Sequence, residues 1–287
     1  MKLQTAKNSA LLLVSLLIFC VIGSMLTENA KADEYGWAIV NPNNYVDGVD
    51  SVNEIYYTDT IFNYIAMDLN SYYYSNYQYW YSGSEQYPVH PSDYCYLLET
   101  LQDYCDKVTF FTKGHCTPWG YNGNHRQLLC TLSSGDPPND EQAKDSIHIW
   151  PHTGYFKNRF SFIWHCGTAE MYPLSPPYQD IDGPIGMPFC FTHNVGMDYY
   201  GDSGDYVYLG WIWASPQFDC TIPYQYQQGY YYWFHFAYFF FNWMTYGDSV
   251  MSTLQDLSWE IYNTYFENSP LYDYLVVWGN GDMTLGY

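Results

Sequence analysis

The stretch FSFIWHCGTA, from Phe160 to Ala169, decides the predicted fold. Its apolar run indicates a buried strand that ends at Cys166 and Gly167, so a thiol lies where the strand leaves its sheet. A second stretch, KVTFFTKGHC from Lys107 to Cys116, has the same form and ends on His115. The 51 residues that separate His115 from Cys166 leave room for a loop and a crossover between parallel strands. We therefore expect these two side chains to meet at the carboxyl edge of one sheet.

The segments around these strands predict an α/β domain with a mainly parallel sheet. We expect strands at 34–40, 108–112, 160–165, 187–192, 206–213 and 274–278, and helices at 51–69, from 91 onward, at 230–246 and from 250 onward. The clusters of Gly, Asn, Pro and Asp in 120–157 predict a loop-rich insert between the two principal strands. The aromatic run at 230–246 is close to the length of a minimal membrane span, but its tyrosines and His235 favour a helix buried against the sheet.

The first 32 residues have the pattern of an export signal. Lys2 and Lys7 precede an apolar run from Ala10 to Leu26, and the tripeptide that ends at Ala32 suits a signal peptidase. We predict cleavage after Ala32 and a secreted or cell-surface protein, with residues 33–287 as a single domain. An uncleaved amino-terminal anchor is the alternative, and no other membrane span is expected.

The charge of the chain limits its partners. Beyond residue 32 the chain has 6 basic and 29 acidic side chains, a net charge of −23. Such a field repels nucleic acid, so nucleic-acid binding is excluded first, and it favours cationic substrates or metal ions. The 35 tyrosines suit strand packing and surfaces that contact sugars or other proteins.

Seven cysteines remain beyond residue 32, and outside the cell an odd number leaves at least one thiol unpaired. We expect Cys166 to be that thiol. Cys95 and Cys105 are ten residues apart in a predicted helix, about 15 Å along its axis, so they should not bond to each other. A bridge between Cys116 and Cys130 is plausible, although spacing does not fix the connectivity.

A cysteine becomes a nucleophile when an imidazole or local dipoles favour its thiolate. In this hypothesis His115 takes the thiol proton and later gives a proton to the leaving amine. The backbone amides of Cys116 and Cys166 face the developing oxyanion, where one donor contributes roughly 3 kcal/mol. His165 should lie on the opposite side of the strand from Cys166, because successive strand residues alternate. A cysteine at this position can also be a small buried residue or half of a disulfide.

The motifs VTFFTKGH, ending at His115, and FSFIWHCG, with Cys166, resemble those of clan CD cysteine peptidases, the group that includes caspases, legumain, clostripain and gingipains. In that group the catalytic His ends one sheet strand and the catalytic Cys ends the next. The resemblance implies a caspase-like three-layer sandwich with a mainly parallel central sheet and a His115/Cys166 dyad. The sequence departs from the pattern at Cys116, where Gly is usual, and at His165, where a small residue is usual.

Substrate selection can be predicted only in outline. The resemblance and the charge together suggest an acidic pocket for Lys or Arg side chains, with Asp180, Asp182 and Asp205 as its candidate residues. No cofactor is required by this mechanism. Calcium is the alternative, because Asp198, Asp202 and Asp205 lie in one loop, although their spacing is not that of an EF-hand. The rival functions are a non-catalytic tyrosine-rich surface module for adhesion or carbohydrate contact and a calcium-stabilised structural protein.

Overall fold

A computed structural model describes residues 33–42, 50–72, 77–82, 89, 91–121, 124–130, 143–145, 149–154, 157–169, 187–192, 205–212, 214–223 and 231–285. The predicted signal segment, residues 1–32, lies outside these residues. The residues from Glu34 onward form one compact unit, which contains every element described below.

Nine strands are described, and six of them form the central sheet. In chain order the strands are β1 (Tyr35–Asn41), β2 (Tyr77–Ser82), β3 (Lys107–Lys113), β4 (His115–Tyr121), β5 (Asn124–Cys130), β6 (Ala143–Asp145), β7 (Asn158–Trp164), β8 (Val207–Trp211) and β9 (Leu275–Gly279). The central order is β2-β1-β3-β7-β8-β9. Its first five strands are parallel, and β9 runs antiparallel to β8. The mainly parallel sheet that the sequence predicted is therefore confirmed.

Helices cover both faces of this sheet, which gives three layers. The described α-helices are α1 (Val52–Tyr72), α2 (Pro91–Tyr104), α3 (Met187–Thr192), α4 (Trp233–Thr245) and α5 (Val250–Tyr262). One face packs against α1, α4 and α5, and the other against α2 and α3. The strand residues alternate between these cores: Phe162 and Trp164 belong to the first and Ile163 to the second.

The core between the sheet and helices α1, α4 and α5 is dominated by aromatic rings, and it includes Trp164 at the end of β7. Phe111 and Phe162 pack on Phe241 of α4, with ring centroids 4.7 and 6.3 Å away. The Trp164 ring lies 4.8 Å from that of Trp211 at the end of the neighbouring strand β8. Residues Trp233–Thr245 of the aromatic run thus form a helix packed on the sheet, as predicted. None of the helices in the described parts of the chain is long and apolar enough to span a membrane.

The expected strand at 187–192 is wrong, because these residues form helix α3. Short apolar runs suit a buried strand and a buried helix equally well. Pro188 is the second residue of α3, where its missing N–H costs nothing. Its carbonyl accepts a hydrogen bond from Thr192 Oγ1 (2.8 Å) across one helical turn.

The insert between β3 and β7 is more regular than its composition predicted. It contains a separate three-stranded antiparallel sheet in the order β4-β5-β6. The composition of β4 concealed it, because Pro118 and Gly120 are poor strand residues, although an edge strand such as β4 tolerates proline. The Asn122-Gly123 dipeptide is the signal that would have predicted the β4–β5 hairpin.

Candidate active site at the carboxyl edge of the sheet

Cys166 lies in a tight turn at the carboxyl end of β7. Gly167 follows it with φ +66°, a left-handed conformation that favours glycine. Thr168 fixes the turn, because its Oγ1 donates to the carbonyls of Ile163 (3.1 Å) and His165 (3.0 Å). Tyr208 Oη then donates to the Thr168 carbonyl (2.9 Å). The thiol is consequently held by a fixed backbone and remains partly exposed.

Ser215 supplies the polar contacts of the Cys166 sulfur. Its backbone N–H donates to Sγ over 3.2 Å, and its Oγ lies 3.5 Å from the same atom. A backbone donor directed at sulfur stabilises negative charge that develops there during a reaction. This contact could not be predicted from local sequence, because Ser215 follows Cys166 by 49 residues.

The backbone places the predicted partner, His115, at the same edge. Strands β3 and β7 are parallel neighbours, and Lys113 is the register partner of Trp164. The next residue, Gly114, donates its N–H to the Trp164 carbonyl (3.3 Å). His115 then begins β4, two positions beyond Lys113, as Cys166 is two positions beyond Trp164. The side chains of His115 and Cys116 lie outside the described part of the chain.

His165 is directed away from the thiol. Its side chain is fully buried, its Nε2 lies 3.2 Å from Thr112 Oγ1, and its ring meets that of Tyr94 edge-on at 6.3 Å. These contacts belong to the α2 side of the sheet, whereas Cys166 contacts Ser215. The alternation of strand residues predicts this arrangement, and it makes His165 a core residue next to the thiol.

A buried ion pair lies beside this site, and sequence reasoning missed it. Glu54, in the first turn of α1, pairs with Lys113, and both side chains are almost completely buried. The other carboxylate oxygen of Glu54 accepts the backbone N–H of Asp219 (2.9 Å). Ser51 accepts the N–H of Glu54 (3.0 Å) and donates its hydroxyl to the Asp219 carboxylate. The motif Ser51-x-x-Glu54 indicates a helix cap from sequence alone, but nothing in it shows that the carboxylate has a distant lysine as its partner.

These contacts fix the loop after β8, residues 214–220, across the carboxyl edge. Trp164 Nε1 donates to the Pro216 carbonyl (2.8 Å). Phe218 is fully buried, with its ring 5.0 Å from that of Trp164, and Lys113 Nζ lies 4.9 Å from the Phe218 ring centroid. The loop therefore connects Cys166, through Ser215, to the Glu54–Lys113 pair.

Cys220, at the end of this loop, is an exposed thiol of a different character. Partial desolvation of its sulfur by the surrounding loop raises the pKa of Cys220, and the neighbouring Asp219 carboxylate raises it further. The same loop thus carries a thiol whose surroundings disfavour the thiolate, only five residues beyond Ser215.

Asp205 does not lie at this edge. It precedes β8, and Arg159 Nη1 donates to its carbonyl (3.0 Å) and lies 3.3 Å from its carboxylate. Because β7 and β8 are parallel, this position is at their amino-terminal edge, about 15–20 Å from Cys166 along the strands. Asp205 is therefore withdrawn from the predicted substrate pocket. Its proposed calcium partners Asp198 and Asp202, and the pocket candidates Asp180 and Asp182, lie outside the described residues.

None of the five cysteines whose side chains are described forms a disulfide: Cys95, Cys105, Cys166, Cys190 and Cys220. The expectation that Cys95 and Cys105 would not bond to each other is confirmed. The β4–β5 register sets Cys130 opposite His115 and Cys116 opposite Leu129, so the two cysteines of the plausible bridge are not directly opposed.

The chemistry of this edge has to be inferred from its own residues, because no protein-family model and no curated protein matches the chain. Within the described residues, no group of three or more His, Cys, Asp or Glu side chains could hold a metal ion. The edge offers a partly exposed thiol, a backbone donor to its sulfur, and a histidine position two residues beyond the end of the adjacent strand. This set suits nucleophilic catalysis by cysteine.

Proposed function

We propose that the chain is an exported cysteine endopeptidase of caspase-like fold that uses a dyad of His115 and Cys166. The observation that carries the proposal is the pairing of β3 with β7, in which Lys113 is opposite Trp164. The strand that leads to His115 and the strand that leads to Cys166 are therefore direct neighbours that end at one edge. This is the arrangement that the resemblance to clan CD peptidases implies.

In the proposed mechanism His115 accepts the proton of the Cys166 thiol. The sulfur forms a bond to the carbonyl carbon of the scissile peptide, and the carbonyl electrons move to its oxygen. As the tetrahedral intermediate collapses, the C–N bond breaks and His115 donates its proton to the leaving amine. Water then attacks the thioester, with His115 again as the base, and releases the free thiol.

The turn after β7 supports this role through its rigidity. Gly167 and Thr168 fix the backbone around Cys166, so its N–H is preorganised as an oxyanion donor together with that of Cys116. The amide of Ser215 stabilises the sulfur while it carries negative charge. Each of these interactions is local to the reacting atoms.

A cationic substrate is the second part of the proposal. The mature chain carries a net charge of −23, which attracts cationic peptides over distances of about a Debye length. Asp219 adds a carboxylate to the loop that contacts Cys166, and Asp180 and Asp182 remain candidates for the pocket itself. Basic residues next to the scissile bond should therefore be preferred.

Thiol alkylation tests the dyad with an internal control. At pH 7 we expect iodoacetamide to modify Cys166 faster than Cys220, because the pKa of Cys220 is raised. The variant His115→Ala should slow the modification of Cys166 and leave that of Cys220 unchanged. Hydrolysis of a peptide library should be lost in Cys166→Ser and retained in Cys220→Ser. Hydrolysis that persists in Cys166→Ser, or a Cys166 that reacts no faster than Cys220, would exclude this function.

A non-catalytic tyrosine-rich surface module is the second candidate, and the outer face of α1 favours it. Tyr56, Tyr64 and Met67 are at least half exposed on this helix. Exposed aromatic rings of this kind suit contact with sugars or proteins. Binding to a glycan array that is lost in Tyr56→Ser and Tyr64→Ser, in a protein without peptide hydrolysis, would support this alternative over the peptidase.

A further inference from the structure

A cavity of about 200 Å³ lies at the amino-terminal edge of the sheet, far from Cys166. The starts of β3 and β7 form one side of it, and the segment after β9 forms the other. Lys107 and Arg159 line it together with Asp205 and Asp282, on a base that includes Val108 and Leu285. Two of the six basic side chains beyond residue 32 therefore line one cavity of a strongly acidic chain.

A β-bulge places Arg159 here. The register changes from Val108 opposite Asn158 to Thr109 opposite Phe160, so Arg159 is the extra residue of β7. Bulges redirect a side chain away from the regular alternation of a strand. Among the guanidinium nitrogens of Arg159, Nη1 contacts Asp205. The Nε of Arg159 is buried and has no hydrogen-bond partner. Since Nε is buried and Nη1 binds Asp205, the donors that Arg159 keeps for a ligand are the N–H groups of Nη2.

The opposite wall is preformed. Gly279 has φ +92°, and a Cβ there would lie 2.5 Å from the Tyr206 carbonyl oxygen, so this turn requires glycine. The Asn280 N–H donates to that same carbonyl (2.9 Å), and the Met283 carbonyl accepts the N–H of Val250 (2.9 Å). A wall held in this way binds a ligand without a large ordering cost.

The charges of the cavity define the class of its ligand. Lys107, whose Nζ also donates to Tyr35 Oη (3.3 Å), and Arg159 bring cationic groups to the cavity. The Asp282 carboxylate is exposed and forms no ion pair within the described residues. The four charged side chains sum to zero, so a ligand with both a carboxylate and an ammonium group matches them better than a simple anion. A volume of about 200 Å³ is below the range of roughly 300–1,000 Å³ that is typical of pockets for drug-sized molecules, so it favours a small ligand.

We propose that this cavity binds a small zwitterionic α-amino acid, with its carboxylate at Lys107 and Arg159 and its ammonium at Asp282. The site is separate from the candidate dyad and does not depend on the peptidase proposal.

Calorimetric titration of the purified protein with glycine, L-alanine, acetate and methylammonium tests this site. We expect saturable binding of at least one of the two amino acids and none of acetate or methylammonium at the same concentrations. Arg159→Met should weaken that binding by about tenfold or more, since a charged hydrogen bond is lost. Arg126→Met is the matched control, because Arg126 lies on β5 of the separate three-stranded sheet, and it should leave binding unchanged.

Asp282→Asn tests whether the ligand needs an ammonium group, because it removes the carboxylate proposed to bind that group. Asp282 is exposed, so the substitution should not affect folding. It should weaken amino-acid binding by about tenfold. Equal binding of acetate and glycine, binding unaffected by Asp282→Asn, or no saturable binding of either amino acid would overturn the proposal. If Arg159→Met fails to fold, the Asp282→Asn titration still decides between these outcomes.

Discussion

The Glu54–Lys113 ion pair allows the sharpest test of how the carboxyl edge is held together. The substitution Glu54→Gln keeps the shape of the side chain and removes its charge. The single amide oxygen of Gln can accept from Lys113 or from the Asp219 N–H, but it cannot replace both carboxylate oxygens. Lys113, with only 4% of its side chain exposed, therefore loses its counter-charge. Breaking one side of a buried pair costs about 3–5 kcal/mol, because an uncompensated charge stays buried. For a domain of this size the melting temperature should fall by about 10 °C.

The exposed pair between Glu99 and His152 is the matched control. Its atoms lie 3.1 Å apart, but the two side chains are 53% and 35% exposed. The same chemical change, Glu99→Gln, should cost no more than about 1 kcal/mol, because water already screens that pair. Both variants can be measured by urea unfolding followed through tryptophan fluorescence, with the m-values compared to establish that the same transition is observed.

The double variant Glu54→Gln/Lys113→Met separates charge from shape. If the cost comes from a buried unpaired charge, removal of both charges should recover most of the stability lost in Glu54→Gln. A cost for Glu54→Gln within about 1 kcal/mol of that for Glu99→Gln would refute the reasoning, since it would mean that water reaches the pair. The reasoning would also be refuted if the double variant lost as much stability as Glu54→Gln and Lys113→Met do together.

Two further predictions concern the packing of α2 on β1. Burial raises the pKa of Cys105 from 9.0 to about 11. The neutral thiol therefore contributes its full stability below pH 9, and this contribution is lost as the pH rises towards 11. The free energy of unfolding, measured from pH 8 to 11, should fall with pH, and it should fall less in Cys105→Ala. A Cβ on Gly36 would collide with the Cys105 sulfur and lie 2.8 Å from Leu101 Cδ2, so Gly36→Ala should cost about 1–3 kcal/mol in urea unfolding. Gly154→Ala is the control, because the atom nearest to a Cβ at Gly154 would be 3.6 Å away. It should change the free energy of unfolding by less than about 1 kcal/mol. Equal losses of stability in Gly36→Ala and Gly154→Ala would contradict the close packing of Gly36 on Cys105.

The strands on either side of the candidate site were predictable because their burial is encoded locally. Residues 108–112 and 160–165 are apolar runs that end in polar or small residues, and a strand buried on both faces requires this pattern. The helix at α5 was predictable for the same kind of reason, since Val250, Leu254, Leu257 and Ile261 recur at helical spacing and all are buried.

The errors arose where local pattern and tertiary context disagree. The run at 187–192 is too short for its apolar pattern to distinguish a strand from a helix. Its packing against the α2 side of the sheet favours the helix α3. Asp205 was grouped with other acidic residues by sequence proximity, but the parallel direction of β8 carries it to the edge opposite Cys166. Proximity along a loop is no guide to which edge of a sheet a residue occupies.

The sequence by itself determined that two buried strands lead to a histidine and a cysteine, because hydrophobic runs and their boundaries are local properties. Only the tertiary structure decided that these strands are neighbours in register, since strand pairing depends on contacts between residues about 50 positions apart. The tertiary structure also decided that Ser215 contacts the Cys166 sulfur. It likewise decided that Glu54 pairs with Lys113 instead of capping the first turn of α1. Such partners come together only when the sheet and its loops pack, because no spacing rule connects them along the chain.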